Sequence, residues 1–214
     1  MLIFMASSKQ EMAGSYCQVP VGVGKVAAAV NSSLFLTSNT VKHVLITGSC
    51  AAVQSQYKLG DLIIGTAVMQ YDLDLSRFGL QRGATFDSLG EPTSSWISLD
   101  DTLFAKARNL DSFLGRKLWF EARLGSADLF SLAPNRNADQ WLKSSLDAVD
   151  MESYAIAAAA QALGITVSLV RFVSDTESGH KAKSYAKLVK ESALAVAQLV
   201  DYCTAPNEKS PTIL

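Results

Sequence analysis

The hydrophobic pattern predicts four strands, because four short runs are apolar almost without interruption. These runs are residues 2–6, 44–47, 62–68 and 165–173. A strand that faces water on one side alternates apolar and polar residues, whereas a strand covered on both faces is continuously apolar. We therefore expect an α/β fold in which a mostly parallel or mixed central sheet is flanked by helices.

Helices are predicted in the intervals between these runs. They cover residues 24–37, 100–110, 139–146, 151–163 and 184–202. The fourth is rich in alanine, and Gly164 follows it at the position where a glycine commonly ends a helix. Residues 72–98 carry several glycines and turn-forming residues, which favours loop structure there. The alternation of strands and helices supports the α/β class.

The chain shows no internal repeat and no linker-like stretch, so one domain is predicted over residues 1–203. The tail, residues 204–214, is polar and contains two prolines. Such a terminus has few groups to bury, and we expect it to be flexible.

Composition excludes several classes of protein. Of the 214 residues, 49% are apolar and 18% are charged, which allows a large core and excludes intrinsic disorder. The 19 basic residues are balanced by 20 acidic residues, and the basic residues are not clustered in the sequence. Neither nucleic acid nor a membrane is therefore an expected partner. Cys17, Cys50 and Cys203 lie far apart, which favours neither disulfides nor zinc. A cytoplasmic protein without metal or other cofactor is expected.

A glycine-serine turn follows the second predicted strand, at the edge of the sheet where ligands of α/β proteins gather. Gly48 lets the backbone approach a ligand closely, and Ser49 offers a hydroxyl and a backbone N–H. Taken alone, this segment is better interpreted as an ordinary turn, because a single turn of small residues is a weak signal.

The end of the last predicted strand is a second candidate. Ser174 and Asp175 stand at its exit, and Arg171 interrupts its apolar run. Asp175 on its own fits the N-cap of a following helix about as well as a functional role. A buried charge is costly unless it is paired or lines a site, so Arg171 favours a polar site here.

Acidic residues supply two further candidates. Asp150 and Glu152 begin the alanine-rich helix, where the helix dipole alone would explain them. Because that helix is apolar almost all round, Glu152 is expected to be buried and to need hydrogen-bond donors, such as ribose hydroxyls. Glu11 follows the first strand and by itself is typical of an exposed loop or helix.

Six blocks of sequence resemble, in the same order, the nucleoside phosphorylase/nucleosidase family. They are residues 22–29, 44–49, 60–64, 126–130, 148–153 and 170–175. Each block is a weak signal alone, but six in order are specific, and the resemblance extends from residue 2 to residue 202. It implies a three-layer fold with a mixed central sheet between helices.

Within the family, the sequence is most similar to the methylthioadenosine/S-adenosylhomocysteine nucleosidases. Hexameric purine phosphorylases have a phosphate-binding arginine where this chain has Ile46, and a second one in an N-terminal loop where it has residues 7–11. Arg171 stands where the nucleosidases have an arginine. Residues 48–50 and 126–130 resemble the phosphorylase versions more closely, so a phosphorylase remains an alternative.

The resemblance implies a catalytic set. Asp175 would be the general acid that protonates the purine, and Ser174 would orient it. Glu11 would activate the attacking water, and Arg171 would help to hold the water and the carboxylate.

The resemblance also implies contacts to the nucleoside. Glu152 would accept hydrogen bonds from the ribose hydroxyls, Met151 would pack on the sugar, and Ser49 would line the sugar and water region. Phe130 would stack on the purine while backbone groups at residues 130–131 read its edge. Ser131, Val23 and Asp150 complete the expected substrate-binding set.

Two features concern the substrate and the assembly. An Asp at position 175 suits a 6-amino purine, whereas the related futalosine hydrolases tend to have Asn there. Family nucleosidases are homodimers in which a partner aromatic closes the 5′ pocket. Phe78 is the candidate, and an ordinary aromatic of a surface loop is the alternative interpretation. The segment from Glu11 to Gly22 is shorter than the family usually has, which makes the position of Glu11 a test of the resemblance. A nucleoside-binding protein without activity is the remaining alternative.

Overall fold

The computed structural model describes residues 1–130, 139–178 and 184–206. Ten strands are present in this part of the chain. They are β1 (Leu2–Ala6), β2 (Cys17–Pro20), β3 (His43–Ile46), β4 (Ser49–Ala52), β5 (Leu62–Gln70), β6 (Ile97–Ser98), β7 (Ser112–Phe113), β8 (Arg116–Ser126), β9 (Ala148–Asp150) and β10 (Thr166–Asp175). Four α-helices are described with them. They are α1 (Lys25–Ser38), α2 (Gln140–Ser145), α3 (Ser153–Gln161) and α4 (Tyr185–Thr204).

The strands form one mixed sheet in the order β2-β1-β3-β10-β4-β9-β8-β5-β6, and β7 pairs with β8. Strands β1, β2, β3 and β10 are parallel to their neighbours in this half of the sheet. Strand β10 also pairs antiparallel with β5. The ring β10-β4-β9-β8-β5 therefore closes on itself, and β10 lies at its junction with the open half of the sheet.

Both faces of the sheet are covered, as the continuous apolar runs predicted. In β1, Ile3 and Met5 point into a core shared with α1 and α3, while Phe4 and Ala6 point into a core shared with α4. The same alternation holds in β10, where Val167 and Leu169 face the first core. The predicted fold class, a three-layer α/β fold with a mixed sheet between helices, is confirmed.

Several element boundaries need correction. The helix predicted at residues 100–110 is a 3₁₀ helix, Thr102–Ala107, whose N-cap is Asp101. The longest strand, β8, was missed, because charged residues such as Arg116, Glu121 and Arg123 interrupt its apolar positions. Strands β2, β4 and β9 were missed because three or four residues are too few to show a period.

Gly164 has a φ of 66° just beyond α3, as expected for a glycine that ends a helix. Helix α4 ends at Thr204 and is capped by Ser184. The division into a domain of residues 1–203 and a flexible tail of residues 204–214 stays a prediction. Among the described residues, no helix has both the length and the apolar character needed to cross a membrane.

Candidate active site

A cavity of about 220 Å³ opens where the ends of several strands converge. Its walls come from segments that are far apart in the sequence. The lining residues are Ser7, Glu11, Val23, Ser49, Cys50, Ala51, Leu129, Phe130, Val149, Asp150, Met151, Glu152, Ser174, Asp175 and Tyr185. Nine of the twelve predicted site residues therefore line one cavity.

Glu11 lies in this cavity despite the short segment that follows it. It ends the 3₁₀ helix Lys9–Glu11 just after β1, and its residue is only 4% exposed. One carboxylate oxygen accepts hydrogen bonds from the backbone N–H of Ser49 at 3.0 Å and from its hydroxyl at 2.7 Å. The other oxygen accepts from the hydroxyl of Ser7. Three donors thus fix the Glu11 carboxylate.

Arg171 is fully buried in the interior of β10. Its Nη2 lies 3.2 Å from a carboxylate oxygen of Asp150 and 3.6 Å from one of Glu152. Burial alone would lower the pKa of Arg171, but the charges of Asp150 and Glu152 outweigh it, so the net shift is upward. As the sequence indicated, the buried charge belongs to a polar site.

The remaining donors of Arg171 hold it in one orientation. Nε and Nη2 donate to the hydroxyl oxygen of Ser153 at 3.2 and 2.9 Å. Nη1 donates to the carbonyl oxygen of Ser49 at 3.3 Å. The guanidinium therefore links the wall that carries Glu152 to the wall that carries Glu11.

Asp150 is the last residue of β9, and its carboxylate accepts hydrogen bonds from several groups of the protein itself. Its Oδ1 accepts from the hydroxyl of Ser126 at 2.6 Å and from the backbone N–H groups of Glu152 and Ser153 at 3.1 and 3.0 Å. The hydroxyl of Ser153 donates to the other oxygen. These bonds fix the start of α3, and with it the position of Glu152.

Glu152 is the N-cap residue of α3 and is 5% exposed. Burial raises its pKa to about 7, although the Arg171 charge acts in the opposite direction. The backbone N–H of Gly24 donates to Oε1 at 3.1 Å. This backbone bond connects the Gly-Val-Gly-Lys block to the site, while the side chain of Lys25 pairs with Asp72.

Asp175 is the last residue of β10 and is 6% exposed. The pairing of β10 with β4 shifts register between Val173 and Asp175. Asp175 is a strand residue on the cavity wall, and the N-cap of the next described helix is Ser184 instead. The hydroxyl of Ser174 donates to the carbonyl oxygen of Cys50 at 3.2 Å.

Apolar side chains form the remaining wall of the cavity. Val23, Met151 and Phe130 all line it, and Phe130 is 68% exposed. Phe78 is on a 3₁₀ helix, is 72% exposed and is not among the lining residues of this chain. Ser131 lies outside the described residues.

Sequence reasoning missed three residues that make hydrogen bonds to the predicted site. Ser7 donates to Glu11, Ser153 accepts from Arg171, and the phenol of Tyr185 lies 3.1 Å from the hydroxyl of Ser49. Isolated serines and a tyrosine at a helix start carry no spacing signal. Ser153 alone could have been suspected, because it immediately follows the Asp-Met-Glu segment.

Comparison with known proteins agrees with this architecture. The family profile of the phosphorylase superfamily matches residues 11–205. A 5′-methylthioadenosine/S-adenosylhomocysteine nucleosidase of Actinobacillus succinogenes is 30% identical over 188 residues, which cover 84% of this chain and 76% of the relative.

Two solved structures share the fold. The 5′-methylthioadenosine/S-adenosylhomocysteine nucleosidase of Campylobacter jejuni has a TM-score of 0.78 and 21% identity, over 94% of this chain and 97% of that one. The futalosine hydrolase of Helicobacter pylori has a TM-score of 0.75 and 20% identity, over 94% and 96%. The fold alone therefore does not separate these two kinds of enzyme.

The chain belongs to the phosphorylase superfamily and, within it, to the family of methylthioadenosine/S-adenosylhomocysteine nucleosidases.

Proposed function

We propose that the protein hydrolyses the N-glycosidic bond of 5′-methylthioadenosine, S-adenosylhomocysteine or a similar adenine nucleoside, and releases adenine and a ribose derivative. One observation carries the choice of water over phosphate. In the described part of the chain, the cavity is lined by four carboxylates and by no lysine, arginine or histidine. A phosphate dianion binds through charge-assisted contacts to cations, so this cavity disfavours it as a nucleophile.

The same charge distribution favours a cationic transition state. Cleavage of a purine from ribose develops positive charge on the sugar, and fixed negative charge nearby stabilises that state. In the described site, the buried carboxylates of Glu11, Asp150 and Glu152 all interact with one buried guanidinium, that of Arg171. Part of the negative charge is therefore uncompensated when all three are ionised.

Asp175 would supply the proton that makes the purine a good leaving group. It is at the exit of β10, buried and on the cavity wall, where a carboxylic acid can meet the base. Phe130 would stack on the purine from the opposite, apolar side. Ser174 would orient this end of the strand through its bond to the carbonyl of Cys50.

Glu11 would activate the water that attacks the sugar. Its carboxylate is fixed by Ser7 and Ser49, and Ser49 would line the sugar and water region. Arg171, held against the carbonyl of Ser49, would keep this wall in register with Glu152. Glu152 would accept the ribose hydroxyls.

Contacts to the sugar complete the site. Met151 would pack on the ribose, with Val23 beside it at the cavity wall. Asp150 would act through Glu152, whose backbone N–H it binds. Asp rather than Asn at position 175 favours a 6-amino purine, which argues for adenine over the 6-oxo base of a futalosine substrate.

We also infer that the protein is a homodimer. The outer face of α1 carries Val26, Val30 and Leu34 at helical spacing, exposed by 74%, 51% and 63%. Such an apolar stripe is unusual on a monomer surface. Val23 immediately precedes the N-cap residue of α1 and lines the cavity. A second subunit bound to this apolar stripe would therefore lie next to the site. The partner's Phe78 is the proposed lid of the 5′ pocket.

A cytoplasmic role in methionine salvage is consistent with methylthioadenosine and S-adenosylhomocysteine as substrates.

The proposal is tested by measuring released base with and without phosphate. The substrates are methylthioadenosine, S-adenosylhomocysteine, adenosine, inosine and futalosine. We expect adenine from the first two at a rate independent of phosphate. Phosphate-dependent release would identify a phosphorylase, release of hypoxanthine from futalosine alone would identify a futalosine hydrolase, and no release from any substrate would identify a binding protein.

A further inference from the structure

Tyr185, the first residue of α4, lines the same cavity as Glu11, the proposed general base. Its phenol oxygen lies 3.1 Å from the hydroxyl oxygen of Ser49, a residue 136 positions away. The Tyr185 residue is 52% exposed, and its hydroxyl is within hydrogen-bond distance of Ser49. Helix α4 thus places a hydroxyl group against Ser49, the first residue of β4, which donates hydrogen bonds to Glu11.

The direction of this hydrogen bond follows from counting protons. The hydroxyl of Ser49 has one proton, and it donates that proton to Glu11 at 2.7 Å. The proton in the contact between Ser49 and Tyr185 therefore comes from the phenol. The result is a relay in which Tyr185 donates to Ser49 and Ser49 donates to Glu11.

The electrostatic surroundings keep the phenol protonated. Burial raises the pKa of Tyr185, and the charge of Glu11 acts in the same direction. Tyr185 is therefore a permanent donor at neutral pH. A donor bonded to the Ser49 oxygen polarises the Ser49 O–H group. The hydrogen bond from Ser49 to Glu11 is then stronger, because chained hydrogen bonds are cooperative.

We propose that Tyr185 is a positioning residue that fixes the Ser49 hydroxyl, and through it the Glu11 carboxylate, in the geometry that directs the attacking water. This inference rests on the proposed function, in which Glu11 is the base. A tyrosine that merely walled the cavity would act through its ring, and loss of its hydroxyl would leave kcat unchanged.

The test is a double-mutant cycle with Tyr185→Phe and Ser49→Ala. Tyr185→Phe keeps the ring and removes the donor, so we expect kcat to fall about five- to tenfold while KM changes by less than about twofold. In the Ser49→Ala background, the same change should cost nothing further, since the relay no longer exists. Equal losses in both backgrounds, or no loss in either, would overturn the relay.

Tyr16→Phe is the matched control. The Tyr16 phenol donates to Asp201 at 2.6 Å, outside the cavity, so this variant should keep the wild-type kcat.

A second measurement does not depend on activity. The free energy of unfolding of the same four proteins, obtained in urea, should show coupling between Tyr185 and Ser49, with the double variant more stable than the sum of the single losses predicts. If the wild type releases no adenine, the proposed function fails and this cycle still decides the relay. Strict additivity would refute the hydrogen bond itself.

Discussion

Nη2 of Arg171 lies 3.6 Å from a carboxylate oxygen of Glu152, and both side chains are buried. The pKa of Glu152 is nevertheless raised to about 7, because burial outweighs the attraction of the guanidinium. Arg171 is shared with Asp150, which it approaches more closely, at 3.2 Å. Glu152 is therefore partly protonated at neutral pH, and its ionisation can be followed over an accessible pH range.

Glu152 should make the stability of the protein depend on pH. Its pKa is higher in the folded protein than its ordinary value of 4.5, so the folded state binds the extra proton. The contribution is favourable below pH 4.5 and is lost as pH rises towards about 7. We expect the free energy of unfolding of the wild type, minus that of Glu152→Gln, to fall by roughly 2–3 kcal/mol over this range.

Urea titrations of both proteins at several pH values measure this difference. Taking the difference between variants removes the contribution of the other carboxylates. A difference that stays constant from pH 4.5 to 7.5 would contradict the raised pKa of Glu152.

Asp175→Asn should nearly abolish turnover. The amide cannot donate the proton that the departing purine needs, and general acid catalysis contributes about 10²- to 10⁴-fold to such rates. Adenine release measures the loss, and circular dichroism checks that the fold is unchanged. Asp201→Asn, which alters a carboxylate outside the cavity, is the control. A near-normal rate for Asp175→Asn would remove this residue from the acid role.

Gly48→Ala should damage the site from within. A Cβ at this position would lie 2.6 Å from Nη1 of Arg171 and 3.1 Å from the carboxylate of Glu11, and its φ is +119°. We expect a loss of stability beyond the roughly 1–3 kcal/mol of backbone strain, together with loss of adenine release. Gly90→Ala, at φ +83° with no neighbour within 4 Å, measures strain alone. Equal losses in the free energy of unfolding for both variants would show that the close contacts of a Cβ at position 48 do not matter.

Val30→Glu should prevent dimer formation. Val30 lies in the middle of the exposed apolar stripe of α1, and burying a carboxylate in an apolar interface is costly. Light scattering should show a dimer for the wild type and a monomer for the variant. Leu194→Glu is the control, because Leu194 is 50% exposed on α4, which packs on the face of the sheet opposite α1. A dimeric Val30→Glu protein would place the interface elsewhere.

The sequence alone predicted the four strands β1, β3, β5 and β10 and the family. The apolar runs of β1 and β10 are continuous because both faces of the sheet are covered, so their pattern reports burial directly. Arg171 stood out because a charge in such a run must have partners. These signals are local: each is carried by neighbouring residues in the chain.

Only the tertiary structure decided how the site is assembled. The bond between Tyr185 and Ser49 spans 136 residues, and that between Gly24 and Glu152 spans 128. Neither leaves a pattern in the sequence, because a hydroxyl or a backbone N–H can serve any acceptor that the fold brings to it. The sequence by itself indicated a polar site around Arg171 of β10, whereas the hydrogen-bond partners in that site depend on where the helices and loops pack around the sheet.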